Sequence, residues 1–298
     1  MEKIKVTLDW YPNTNHAGLF LAQDKGYFKD AGLDVDIEGC INGFQSSDDA
    51  DILIASEPTI LTMKNNGRGI TAVARIFQQC DSGIVSLKSA GINGPKDLEG
   101  KRLATLDVPW FDTLMEFCVK AGGGDYSKVE TVRIDVDNIA EKLGKDVDAV
   151  WVYGAWELPV LKAAGKDYNY FNLEHDVAHI FDFAAPCIAA SSDFIEKKPE
   201  VLTKFLAAVG KAYEDIAKHP RQSADYVEKY IPEAHGRAIV ADGLVHMSEI
   251  LIDKNGKWGK INHMHWAKFS DFMVENGQIA DRMDNEYTNE FVDPEDYK

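Results

Sequence analysis

Up to Ala190, short apolar runs of strand length alternate with helix-length stretches, and no glycine- or serine-rich spacer separates them. This alternation constrains the fold more than any other feature. Strand–helix–strand units pack as parallel α/β sheets with helices on their faces and right-handed crossovers. The run Ile4-Lys5-Val6-Thr7-Leu8-Asp9-Trp10 has a period of two and reads as a half-buried strand. Tyr11-Pro12-Asn13 breaks it, and Thr14 or Asn15 can cap a helix that begins near His16 and stops before Gly32. Strands are expected over 33–37, 51–55, 70–76 and 83–87, with a helix over 57–66. A second set has strands over 102–105, 128–134, 147–152 and 168–171, separated by helices over 111–121, 138–143 and 155–163. A return strand over 186–190 leads into amphipathic helices over 199–217, 224–230, 233–252 and 266–276.

Two α/β units followed by a return strand, without a linker, imply one lobe inserted within another. The expected division is 1–87 plus 189–298 for the first lobe and 88–188 for the second. The chain would cross at Ser86-Leu87-Lys88 and again at Cys187-Ile188-Ala189, leaving a cleft that closes by hinge motion. A chain of 298 residues is long enough for two such units.

Composition excludes several functions. With 32 basic and 49 acidic residues the formal charge is −17, which repels phosphate backbones and anionic lipid. No nucleic-acid partner is expected. No apolar run approaches the ~18–20 residues that span a bilayer. Cys40, Cys80, Cys118 and Cys187 lie far apart with no C-x-x-C, which argues against zinc-ribbon and thioredoxin-like readings. Cys118 sits in an apolar run and reads as a buried small hydrophobe. Met1-Glu2-Lys3 leads directly into a strand, so either a leader has been removed or the protein is cytosolic.

In open α/β sheets ligands sit beyond the carboxyl ends of the strands. Those ends carry Asp9, Trp10, Tyr11, Asn13 and His16; then Ser56 and Glu57; then Gln78, Gln79 and Asp81. The second unit adds Asp107, Trp110 and Asp112, then Trp151, Tyr153, Trp156 and Glu157, while Phe181-Asp182-Phe183 precedes the return strand. Large aromatics usually belong to cores. Here tryptophans gather beside amides and carboxylates, which suits a flat heteroaromatic ligand: rings stack, and Asn, Gln and Glu read its edges. No Arg or Lys stands at these ends, so phosphate esters and carboxylates should bind poorly. His175 with His179, and His263 with His265, lack a third ligand at a metal-binding spacing. There is no G-x-S-x-G, no P-loop and no dinucleotide fingerprint, and Gly122-Gly123-Gly124 reads as a helix stop. No metal and no cofactor is expected.

The strings Leu8-Asp9-Trp10-Tyr11-Pro12-Asn13-Thr14-Asn15-His16-Ala17-Gly18, Ala22-Gln23-Asp24-Lys25-Gly26-Tyr27-Phe28 and Gly32-Leu33-Asp34-Val35 resemble the NMT1/THI5-like family. Weaker agreement extends over most of the chain, including Asp148-Ala149-Val150, Lys198-Pro199-Glu200-Val201 and Tyr287-Thr288-Asn289-Glu290. The resemblance implies a type II periplasmic-binding-protein fold. It is nearest to the branch that delivers thiamin pyrimidine precursors, formylaminopyrimidine or hydroxymethylpyrimidine, to an ABC importer. It implies a small aromatic heterocyclic ligand, an ABC transporter permease as partner, a monomer, and an extracytoplasmic location, with a cytoplasmic one as the alternative.

Carried over residue by residue, the resemblance places Trp10, Asn13 and His16 in the pyrimidine pocket, with Glu157 and Phe183 opposite. Together with the strand-end reading, the expected ligand-binding set is Trp10, Asn13, His16, Glu57, Gln78, Asp107, Trp110, Tyr153, Glu157 and Phe183. The chain departs from the family's transporters where they carry paired tyrosines, having Phe183-Ala184. It departs again where they carry a Gly-rich loop, having Asp107-Val108-Pro109-Trp110, and Glu38–Ala50 is short for the helix expected there. These changes bear on ligand identity more than on fold. Other members are pyrimidine synthases that use pyridoxal phosphate and a histidine of their own chain. Their cofactor lysine and sacrificed histidine align with Ala55 and Thr59, and of their iron-associated cysteine patch only Cys187 remains, so binding without catalysis is expected. The alternatives are a synthase and a stand-alone ligand sensor.

Overall fold

The structure is a computed structural model that describes residues 1–39, 49–134, 138–232 and 236–293. Its strands form two five-stranded sheets. The first has the order β2-β1-β3-β10-β4, from β1 (Glu2–Thr7), β2 (Leu33–Glu38), β3 (Ile52–Ala55), β4 (Ile70–Arg75) and β10 (Cys187–Ser191). The second has the order β7-β6-β8-β5-β9, from β5 (Ser82–Leu87), β6 (Arg102–Thr105), β7 (Glu130–Arg133), β8 (Ala149–Tyr153) and β9 (Tyr168–Asn172). Helices α1 (Ala17–Asp24), α2 (Tyr27–Asp30) and α3 (Glu57–Asn65) belong to the first unit. The second contributes α4 (Trp110–Ala121), α5 (Ile139–Lys142), α6 (Gly154–Ala163) and α7 (Leu173–Asp176). After β10 come α8 (Ser192–Lys197), α9 (Pro199–Lys218), α10 (Pro220–Val227), α11 (Gly236–Ser248) and α12 (His263–Glu275).

Two expectations are corrected by the strand pairing. The sheets are mixed, not parallel: β10 runs antiparallel to β3 and β4, and β5 runs antiparallel to β8 and β9. Both odd strands follow directly on a passage from the other sheet. A strand that starts at the junction must run against the strands that end there. The first crossing also comes earlier than Ser86–Lys88. Ser82–Leu87 pairs with Ala149–Tyr153 inside the second sheet, so the chain passes over at 76–81 and returns across 173–186. The short 38–50 segment lies largely outside the described residues, as do Cys40 and the expected helix start at Glu233.

Burial follows from composition. All of β3 and β4 is buried, so these strands read as continuous apolar runs and take cover on both faces. One face packs on α1, α9 and α11 through Val6, Leu19, Phe205 and Leu244. The other continues through Leu53, Ala55 and Ala72 to Phe269 on α12 and onward to Trp110 and Phe111 of α4. At the first strand end Asn13, not Thr14 or Asn15, is the cap. Its Oδ1 accepts the Asn15 N–H at 2.9 Å and starts a tight turn, Thr14–His16, that leads into α1.

Candidate functional site

Between the carboxyl ends of the two sheets lies a cavity of about 580 Å³. The loop after β1 supplies Asp9, Trp10, Asn13 and Asn15, held in place because the Asn13 cap forces a sharp exit from the strand. On α3 and at its C-terminal cap, Thr59, Thr62, Met63 and Asn66 face in, the spacing of a single helical face. Leu106 to Trp110 after β6 form the opposite rim, and Trp151, Tyr153 and Glu157 come from β8 and the first turn of α6. No Lys or Arg lines it among the described residues. Trp151 meets Trp110 edge to face, centroids 5.5 Å apart, so the aromatic wall is itself supported.

Of the expected set, Trp10, Asn13, Asp107, Trp110, Tyr153 and Glu157 line this cavity. Asn13 spends its amide on the cap and on the Tyr11 carbonyl, and Asp107 is exposed at the rim, paired with Arg133 at 2.7 Å. The other four do not line it. His16 is wholly buried behind Asp9: its Nδ1 accepts the Asn13 N–H at 3.3 Å, which leaves Nε2–H to donate to Asp9 Oδ1 at 2.7 Å. Glu57 turns away into the core, where its Oε2 accepts the Ala184 N–H at 2.7 Å and its own N–H donates to the Ala184 carbonyl. Gln78 faces a second cavity beside Arg75 and His265. Phe183 sits behind Trp151, packed on Phe269 with centroids 4.8 Å apart. Trp156, also at a strand end, is buried and donates its indole N–H to the Tyr11 hydroxyl.

The strand-end reading passed over the α3 face and Asn15. Thr59, Thr62 and Asn66 are spaced to share one helical face directly after the Ser56 cap, a signal the sequence does contain.

The electrostatics are those of buried acids. Burial pushes the Glu157 carboxyl up to about 8. The Tyr153 N–H at 3.0 Å pulls the other way, and the nearby Asp81 and Asp9 charges add to the rise. Burial, then Asp9, also raises the Tyr153 phenol. Glu57 is raised well above its ordinary value by burial, and its Oε1 has no hydrogen-bond partner among the described residues. A Glu157 that keeps its proton at neutral pH can donate O–H to a ring nitrogen.

The family model described as NMT1/THI5 like matches residues 13–223. The formylaminopyrimidine-binding protein of Halalkalibacterium halodurans is 26% identical over 90% of this chain and 83% of that protein. The 4-amino-5-hydroxymethyl-2-methylpyrimidine phosphate synthase THI11 of Saccharomyces cerevisiae is 32% identical over 74% of this chain and 68% of that protein. Among solved structures, the periplasmic aliphatic sulphonate binding protein SsuA of Escherichia coli superposes with a TM-score of 0.70 at 13% identity, covering 96% of each chain. That likeness gives the fold: a two-sheet α/β binding-protein architecture with the cavity at the junction.

Proposed function

Since the chain belongs to the NMT1/THI5-like family, we propose that it is the solute-binding protein of an ABC importer, and that it captures a thiamin pyrimidine precursor or a similar small amine-bearing heterocycle in the cavity between its sheets. The observation that carries this reading is the make-up of the cavity wall. Trp10, Trp110, Trp151 and Tyr153 offer aromatic faces, Asp9 and Glu157 offer acid groups, and no cation lies among them. Each stacked ring contributes about 0.5–1.5 kcal/mol beyond its buried area. A hydrogen bond to a charged group contributes a further ~1.5–3 kcal/mol. A phosphate ester brought between Asp9 and Glu157 would meet acid groups and no cation.

The likeness to the formylaminopyrimidine-binding protein of Halalkalibacterium halodurans supports the ligand class and the binding role. The yeast relative raises the alternative of a synthase. Against it, Ala55 stands at the position aligned with the cofactor lysine and is buried in β3. Thr59, at the histidine position, shares its hydroxyl with Ser56 at 3.0 Å. An extracytoplasmic location and a monomeric state belong to the same proposal.

A thermal-shift panel of aminopyrimidines, flavins and pyridoxal phosphate tests the choice. Aminopyrimidines should stabilise the protein, and pyridoxal phosphate should leave no absorbance band that survives dialysis and is discharged by borohydride. A persistent, reducible band would establish the synthase reading instead.

A further inference from the structure

Asn15 lines the cavity and is 5% exposed. Its backbone is fully committed: the N–H donates to Asn13 Oδ1 at 2.9 Å, and the carbonyl accepts the Tyr213 hydroxyl at 2.9 Å. Its side chain is not. Among the described residues neither Oδ1 nor Nδ2 has a hydrogen-bond partner; Oδ1 is closed to solvent as the side chain stands, and a turn about the soft terminal torsion is what would bring it to a ligand. Buried amides are nearly always paired, and an unpaired one is costly to keep. Asn13, two residues earlier, shows the contrast, since both ends of its amide are used.

The geometry points to Asn15 as a specificity-determining residue, its carboxamide pairing with a ligand edge that presents an N–H donor beside a ring acceptor. This rests on the heterocycle-binding reading above. A primary amide carries one acceptor and one donor group side by side, so it matches the edge formed by an exocyclic amine and the neighbouring ring nitrogen. Being uncharged, it discriminates by hydrogen-bond pattern at any pH. Glu157 changes its character as its proton leaves near pH 8. A site built to pair with an amine rejects the analogue that lacks it, because the protein group is then left unpaired.

The test is calorimetric titration of 4-amino-5-hydroxymethyl-2-methylpyrimidine, and of the analogue with methyl in place of the 4-amino group, into the wild type, Asn15→Ala and Asn15→Asp. Wild type should prefer the amine at least tenfold. Asn15→Ala should bind the amine ten- to hundredfold more weakly and lose most of that preference, by the same factor at pH 6 and pH 9. Asn15→Asp, which keeps an acceptor, should retain more of it. Free Asn15→Ala should melt at or above the wild-type temperature, because no intramolecular bond is removed. A preference that survives in Asn15→Ala, or a clear drop in its melting temperature without change in affinity, would overturn the assignment while leaving the proposed function standing. A wild type that binds neither compound would overturn both.

Discussion

Glu57 is a buried carboxyl and Glu157 a partly buried one, and the environments of both favour the neutral form, which has a measurable consequence. Folded Glu157 holds its proton more tightly than the unfolded chain does, where release occurs near 4.5. Between that value and about 8 the native state binds the extra proton, so its stability falls as pH rises through this window. Glu157→Gln keeps the shape and removes the titration. Chemical denaturation of the two proteins should give similar stabilities at pH 4. The variant should gain steadily on wild type up to pH 8.5, by an amount on the order of a few kcal/mol, since each tenfold difference in proton affinity is worth about 1.4 kcal/mol. A difference that stays flat with pH would show that Glu157 is ionised in the folded protein. Glu157→Gln keeps a donor for a ring nitrogen and should bind an aminopyrimidine within about tenfold of wild type, whereas Glu157→Ala, which keeps none, should bind it roughly ten- to hundredfold more weakly.

Among the elements, α6 and α11 bring the two halves together, and their approach depends on a glycine. A Cβ at Gly243 would sit 2.4 Å from the Ala155 carbonyl oxygen and 2.8 Å from Thr14 Cγ2. The same contact carries the bond from Thr14 Oγ1 to the Ala155 carbonyl, while Asp81 ties the Ala155 N–H to His246 on α11. Burial draws the His246 pKa down, but the hydrogen bond and charge of Asp81 outweigh it and the net shift is upward. Gly243→Ala should therefore cost about 1–3 kcal/mol in an unfolding titration, as overpacking against backbone does. A neutral result would mean that α11 can slide off α6 freely.

The elements were largely legible in the sequence, since strands such as Glu2–Thr7 announce themselves by an alternation like Ile4-Lys5-Val6-Thr7. Strand direction was not. Nothing within Ser82–Leu87 or Cys187–Ser191 encodes that each enters its sheet from the junction, which depends on where the chain came from. The site was half legible for a similar reason. The strand-end rule gives a neighbourhood and not the heading of each side chain, so Trp10, Tyr153 and Glu157 were found together with His16, Glu57 and Phe183, which back the wall from behind.

At the scale of the whole molecule, we infer that the two sheets are the cores of two lobes that close on the ligand about the passages at 76–81 and 173–186. Asp182 supports this: its Oδ1 accepts from Arg75 Nη2 at 2.5 Å and from the Cys80 N–H at 3.1 Å, so it joins one passage to the other. A charge of −17 keeps such a protein from adhering to anionic surfaces while leaving a neutral or weakly cationic solute free to enter. The most direct test of the account is a tryptophan-fluorescence titration of the full chain with 4-amino-5-hydroxymethyl-2-methylpyrimidine and, in parallel, with its phosphate ester. Trp10, Trp110 and Trp151 all border the cavity, so the free alcohol should give a saturable, equimolar change in emission and the ester should bind at least tenfold more weakly. Tighter binding of the ester than of the alcohol would contradict the account.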